Sequence, residues 1–330
     1  MSGSETEVAA GQRYRVGYAL QPNEMESFIQ PSLLDYAKQR AIDLIQIDFS
    51  TPLQKQGPFH CIIHKIRTQR WKNHLHKFVV AHPNTRIIDP PKFIYRLEDR
   101  YKRVPQTVIK DLENLGNDTV RTADQAFIVR PHNLDHIEEW NFTFPIIAKP
   151  YEADGGAGSH EMCLVFDYDG IRTLSLPRVL EEFVNHGGVV FKIYVAGRRV
   201  NCVKCKTLGD IPEEGLGPLK GVLPLSSVLN SGEDQDDAVE KAEMPPQSLV
   251  DELSNSVREV TRLNVFKVNL MRDVKEPTRY VLIDIKYFPA YAKMPSYEPF
   301  ITDFLFDVVT TEPEEPEYDK YTTLNIIPSP

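Results

Sequence analysis

Cysteine is scarce in this sequence: four in 330 residues, at Cys61, Cys163, Cys202 and Cys205. So few thiols fit an intracellular protein whose cysteines stay reduced. Cys202 and Cys205 have C-x-x-C spacing, but Val203 and Lys204 between them lie in a strand-like run. No second pair exists to complete a zinc site. An excess of basic charge is also missing, with 38 Lys and Arg against 47 Asp and Glu. The resulting net charge of −9 excludes the basic footprint of a nucleic-acid protein. It leaves room for a local cationic pocket that takes a small anion. No apolar run reaches the ~18–20 residues needed to span a bilayer. The start of the chain, Met1 to Gln12, is polar and acidic, without the apolar core of a signal peptide. A monomer in the cytoplasm is expected, with the nucleus left open and no membrane or nucleic-acid partner.

What is present is apolar content of 41%, enough for a substantial core, over a length of two or three domain-sized units. Residues 14–20 (YRVGYAL), 42–49 (IDLIQIDF) and 60–66 (HCIIHKI) read as strands. A polar loop follows the first, then a helix over about 31–41. "RWKNHLHKFVVAHP" has helical spacing and stops at Pro83. This alternation indicates an open α/β domain with a largely parallel sheet over 13–105. Strand patterns flank a glycine-rich loop in 142–167 and a Gly-Gly turn in 179–208. Beyond an acidic loop at 230–246, a helix over 247–261 precedes two strands, "NVFKVNLMRD" and "RYVLIDIKYF", and a last helix near 298–310. The expected division is a disordered tail 1–12, the N-terminal domain 13–105, a central domain 106–215, a C-terminal domain 216–312 and a disordered tail 313–330.

The loop "KPYEADGGAGSH" (149–160) sets a lysine at a strand end, three glycines, then a histidine. Backbone N–H groups in such a loop can cradle phosphate while the lysine adds a point charge. A hairpin turn would use the same glycines. Neither a Walker loop nor a dinucleotide fingerprint is present, because Gly-Lys-Ser/Thr is absent and no helix opens directly after the loop. Lys192 interrupts the apolar strand "GGVVFKIYVAG". Burying an ammonium there is costly unless an anion or carboxylate meets it, although an edge strand could turn it to solvent. Two strand lysines, the glycine loop and a C-terminal strand carrying Asp284 together resemble the ATP-grasp arrangement, in which two antiparallel sheets hold a nucleotide between them. The fold class expected is therefore α/β (α+β), ATP-grasp, behind an N-terminal open α/β domain.

Longer runs sharpen this. "VGYAL", "SFIQPSL", "QGPFHCIIHK", "FPIIAKP", "DGGAGSHEM", "EEFVNHGGVVFKIYVAG" and "VLIDIKYFPAYAKMPSYEP" resemble the inositol-tetrakisphosphate 1-kinases, also called inositol 1,3,4-trisphosphate 5/6-kinases, in their plant-type form. The resemblance covers about 14–305 and implies ATP-dependent phosphorylation of soluble inositol phosphates with Mg²⁺. It implies that Lys65, His160 and Lys192 bind the inositol phosphate and that Arg100 and Lys149 contact ATP phosphates. It further implies that the segment from Glu181 through Glu182, Phe183 and Val184 lines the adenine pocket, with Thr207 near the nucleotide, and that Asp284 is a magnesium carboxylate. Lys192, His160 and Asp284 are the expected catalytic set. Phosphoryl transfer depends on such positioning and charge neutralisation more than on covalent chemistry.

Five positions depart from the family pattern. Glu24 stands where the family has a substrate lysine, Cys205 for an arginine, Asn269 for a metal carboxylate, Lys286 for a metal-binding asparagine and Ala290 for a glycine. Lys204 and Lys206 do not obviously replace the arginine, because adjacent strand residues face opposite ways. Glu24 would repel phosphate, and Ala290 would crowd a loop near substrate. The family's two carboxylates and one amide carry −2, whereas Asn269, Asp284 and Lys286 sum to zero. Mg²⁺ demands oxygen ligands and an ammonium cannot ligate. Lys286 therefore opposes the metal, or pairs with Asp284, or contacts phosphate in the metal's place. Two readings follow: a kinase of lowered or altered activity, and an impaired pseudokinase that binds inositol phosphate, nucleotide or a protein partner. A biosynthetic ATP-grasp carboxylate–amine ligase is a third class, disfavoured by the long motifs.

Overall fold

The computed structural model describes residues 12–97, 104–151, 162–211, 219–225 and 235–311. Arg100, His160 and both expected tails, apart from Gln12, lie outside the described residues. Among the described residues there are fourteen strands: β1 (Tyr14–Ala19), β2 (Ile42–Gln46), β3 (Cys61–His64), β4 (Arg86–Ile87), β5 (Val120–Thr122), β6 (Gln125–Ile128) and β7 (Ile146–Pro150) come first. They are followed by β8 (Cys163–Val165), β9 (Arg178–Glu182), β10 (Val189–Ala196), β11 (Arg199–Lys206), β12 (Val222–Pro224), β13 (Val265–Arg272) and β14 (Tyr280–Tyr287).

The first four form a parallel sheet in the order β2-β1-β3-β4. Short β-branched runs such as "CIIH" are buried throughout, as a sheet covered on both faces requires. Helix Gln69–Ala81 covers one face with Trp71, Leu75 and Phe78. Helix Pro31–Gln39 covers the other with Leu33 and Ala37, which join the main core. Thr68 starts the longer helix by accepting from the Trp71 amide.

Two five-stranded sheets make the remainder, ordered β11-β10-β13-β14-β5 and β12-β8-β7-β9-β6. The eight-residue strands β10 and β13 are rich in β-branched and aromatic residues and form the apolar centre with helices Gln247–Thr261 and Tyr297–Thr310. The Gly187–Gly188 turn, at φ 67° and 69°, swings the chain from one sheet to the other, a conformation glycine adopts without strain. Sheet membership does not follow a boundary at 215/216: β10 pairs with β13 and carries β11 into the sheet of the C-terminal strands, and β12 pairs with β8. The acidic stretch expected as loop holds a helix, Gln235–Lys241, onto which Lys204 Nζ bonds through the Glu240 and Ala242 carbonyls at 2.7 and 3.0 Å. Among the described residues no helix is long and apolar enough to cross a membrane.

Buried polar groups fix the N-terminal sheet to the site. Asp89 accepts from the Asn264 and Val265 amides at 2.6 and 2.9 Å, and Tyr287 Oη donates to the His64 carbonyl at 2.6 Å. Burial pushes the His64 imidazole down to about 4, against smaller opposing contributions from the Asp89 and Ile66 backbone. Between its ordinary value of 6.5 and about 4, the unfolded chain takes up a proton that the native state refuses. Stability is therefore complete above pH 6.5 and falls toward pH 4, by up to about 3 kcal/mol from this one group. Urea denaturation at pH 7.5 and 5 should show a slope that His64→Leu flattens; an unchanged slope would contradict this assignment.

Candidate functional site

Between the two five-stranded sheets lies a cleft of about 870 Å³. Lys149, Glu181 and Phe127 line it from one sheet, and Lys192, Asn269 and Asp284 from the other. Lys149 and Asp284 thus face a shared space, as an ATP-grasp arrangement requires. Lys192 is corrected in one respect: it belongs to the sheet of Asn269 and Asp284, not to that of Lys149. The reason is the Gly-Gly turn, which ends the first sheet before Lys192. Leu97 and Val104, which bracket the segment containing Arg100, also line the cleft, as do Pro150 and Met162 around the segment containing His160.

Phe183, Val184, Leu208 and Leu282 are part of the cleft's apolar lining. Lys149 Nζ lies 2.5 Å from Glu181 Oε1, and Gln125 Nε2 donates to Glu181 Oε2 at 2.7 Å, so this buried carboxylate is satisfied. Glu182 does not line the cleft. It forks onto the Arg121 guanidinium at 2.7 and 3.0 Å and borders a neighbouring cavity, because successive residues of β9 face opposite ways. Thr207 lines the cleft, and so does Lys206, the last residue of β11, which strand alternation alone sets aside. Cys205 is not among the lining residues.

The centre of the site is a row across three strands. Lys192 stands opposite Asn269, and Asn269 opposite Asp284. The pairing then shifts to Leu270 opposite Leu282, leaving Ile283 as an extra residue that re-aims the strand beside Asp284. Lys286, two residues on and so on the same face, lies with Nζ 3.2 Å from Asp284 Oδ2. Asn269 Oδ1 is buried with no hydrogen-bond partner. A further residue that the sequence does not single out extends this strand face beyond the cleft-lining residues: Lys267 is directly opposite Lys286 and Tyr194, whose ring centroid is 5.8 Å from its Nζ. Burial pushes the Lys267 ammonium down to about 8, helped by the Lys286 and Lys192 charges and opposed by Asp284 and Cys205. Its signal was alternation, since it is two residues from Asn269.

These residues do not fit a magnesium ion. A near-octahedral oxygen set is required. The row offers one neutral amide oxygen and one carboxylate already held by an ammonium, with a second ammonium alongside. Among the described residues no group of three or more His, Cys, Asp or Glu could hold a metal.

Glu24 and Lys65 are not among the cleft-lining residues but form an ion pair with each other at 2.9 Å. Glu24 belongs to helix Pro22–Phe28, where a polar loop was expected; Pro22 opens the helix, and Glu24 reaches back to the Gln21 amide at 3.3 Å. The effect of Glu24 is therefore to neutralise Lys65 as well as to repel anions. Burial pushes the phenol of Tyr287, the residue after Lys286, well up, and the Glu24 charge adds a small part of that rise. Ala290 is exposed at φ −71°, so its methyl imposes no backbone strain.

Two facing sheets around a lysine-lined cleft define an ATP-grasp protein. Solved structures agree on the fold: an ATP-grasp ligase from Chryseobacterium gregarium, solved with ADP and a leader and core peptide, matches with a TM-score of 0.54 at 12% identity, covering 90% of this chain and 96% of that one. The inositol 1,3,4-trisphosphate 5/6-kinase ATP-grasp domain matches residues 117–307, and the pre-ATP-grasp domain of those kinases matches 15–94. Among curated relatives, inositol-tetrakisphosphate 1-kinase 2 of Glycine max is 60% identical over 94% of this chain and 99% of its own length. Inositol-tetrakisphosphate 1-kinase 1 of Arabidopsis thaliana is 44% identical over 91% and 97%. The chain belongs to the inositol 1,3,4-trisphosphate 5/6-kinase family.

Proposed function

We propose that the chain binds ATP and soluble inositol tris- or tetrakisphosphates in the central cleft and transfers phosphate between them at a rate lowered by its altered phosphate site. The observation that carries the lowered rate is the Asp284–Lys286 ion pair with Lys267 opposite. In this reading Phe183 and Val184 hold the adenine, Lys149 leaves Glu181 to meet the nucleotide phosphates with Arg100, and Thr207 lies alongside. Lys192 and His160 hold the inositol phosphate and its transferred group. Phosphoryl transfer gains most from fixed positive charge around the moving group, which this cleft supplies in lysines.

The second reading, binding without useful turnover, is supported by the Glu24–Lys65 pair, which lies outside the cleft-lining residues and neutralises a lysine that the family resemblance gives to the inositol phosphate. Labelled ATP with a panel of inositol phosphates across a Mg²⁺ series separates the two. Slow transfer to a tris- or tetrakisphosphate is the expected result. Transfer to none of them, with inositol phosphate still bound, would establish the second reading instead.

A further inference from the structure

Lys267 and Lys286 are directly opposite each other on neighbouring antiparallel strands, and Lys192 stands one row away on the third strand. Like charges placed directly opposite destabilise a sheet pair. Asp284 meets only one of the three ammoniums closely, and Asn269 between them is neutral. Such crowding of ammoniums lowers the stability of the empty protein and is relieved when a multivalent anion lies across the row. A metal ion would worsen it.

We propose that Lys192, Lys267 and Lys286 form a metal-free site for a linear polyphosphate, the triphosphate chain of a nucleotide. A linear chain is favoured over a ring because the same strands run on from Lys192 and Asn269 to Val190 and Met271, apolar residues that line the cleft, which suits a base attached to phosphates. Strands ~4.8 Å apart space the ammoniums along the row so that each meets different phosphate oxygens. The fixed cations thus stand in for the charge a divalent ion supplies elsewhere. Free ATP⁴⁻ becomes the preferred ligand, and magnesium, by neutralising it in solution, competes with the site. The nucleotide part of this inference rests on the proposed function; the polyphosphate site itself does not.

The test is calorimetry with inorganic tripolyphosphate and with ATP, each in EDTA and in excess Mg²⁺. Both should bind in EDTA, and excess Mg²⁺ should weaken each several-fold. Lys267→Met with Lys286→Met should weaken tripolyphosphate at least tenfold in EDTA. Thermal unfolding provides an independent measure: tripolyphosphate in EDTA should raise the wild-type Tm and leave the double variant's unmoved. Binding that appears only when Mg²⁺ is added, or a double variant that keeps wild-type affinity and Tm shift, would overturn the site. Tighter binding of inositol hexakisphosphate than of tripolyphosphate, lost in the same variant, would overturn the choice of a linear chain. If no inositol phosphate accepts phosphate while tripolyphosphate binds as described, the kinase reading fails and this site stands.

Discussion

Asn269→Asp combined with Lys286→Asn makes nucleotide binding dependent on magnesium. The double change returns the charge of positions 269, 284 and 286 from zero to −2 and releases Asp284 from its 3.2 Å ion pair. Asn269 already places a buried, unpartnered oxygen opposite Asp284, so the aspartate needs no new backbone geometry. Two unit charges ~4 Å apart interact by about 4 kcal/mol at an effective dielectric of 20, so converting ammonium to amide is the larger part of the change. We expect Mg²⁺ to tighten ATP at least tenfold in the double variant, or about 1.4 kcal/mol. Each single change does less, because Lys286 neutralises an added carboxylate and Asn269 alone supplies too little charge; neighbours of this kind are not additive. Lys267 limits the recovery. Adding Lys267→Gln should raise the magnesium effect again, and Cys205→Arg is a further addition that turnover is expected to need. Calorimetry across a Mg²⁺ series reads all of these. A double variant as indifferent to magnesium as the wild type would show that this row is not the metal position.

Glu24→Lys tightens the binding of an inositol phosphate by about tenfold, close to 1.4 kcal/mol. In the native chain Glu24 lies 2.9 Å from Lys65, and their side chains are only 18% and 23% exposed, so the pair is screened less than a surface pair. With Lys65 as a phosphate ligand, the role the family resemblance implies, an incoming phosphate competes with this carboxylate. Reversal frees Lys65 and adds a second cation, so log Kd should vary more steeply with log salt. Glu24→Gln isolates the first effect and should give an intermediate gain. The substitution sits at the third helical position of Pro22–Phe28, so it loses the Gln21 amide contact, a local cost of about 1 kcal/mol in stability. Calorimetry showing no gain and no change in salt slope would remove Glu24 and Lys65 from the acceptor site.

Much of this was legible in the sequence. The β-branched runs 14–20 and 60–66, the helix 247–261 and the paired strands "NVFKVNLMRD" and "RYVLIDIKYF" appear as read, because their hydrophobic period matches their burial. The pairing of Lys286 with Asp284 is one of the three outcomes that the sequence left open for that lysine. What escaped depended on partners distant in sequence. Lys192 reads as part of the segment before it, yet the Gly187–Gly188 turn hands it to the sheet of Asn269. Lys267 looks like any strand lysine until β14 is laid against β13 and puts Lys286 opposite. Glu24 reads as a loop acid until Lys65, just past β3, meets it. Register between strands, set by long-range pairing and by the extra residue Ile283, carries that information.

The central claim is that lysines occupy the phosphate site where a divalent cation would otherwise act. The most direct measurement is the ATP affinity of the unmodified chain from EDTA to millimolar Mg²⁺. Affinity that is equal or greater in EDTA is the result predicted, and affinity that rises tenfold or more with Mg²⁺ would contradict it.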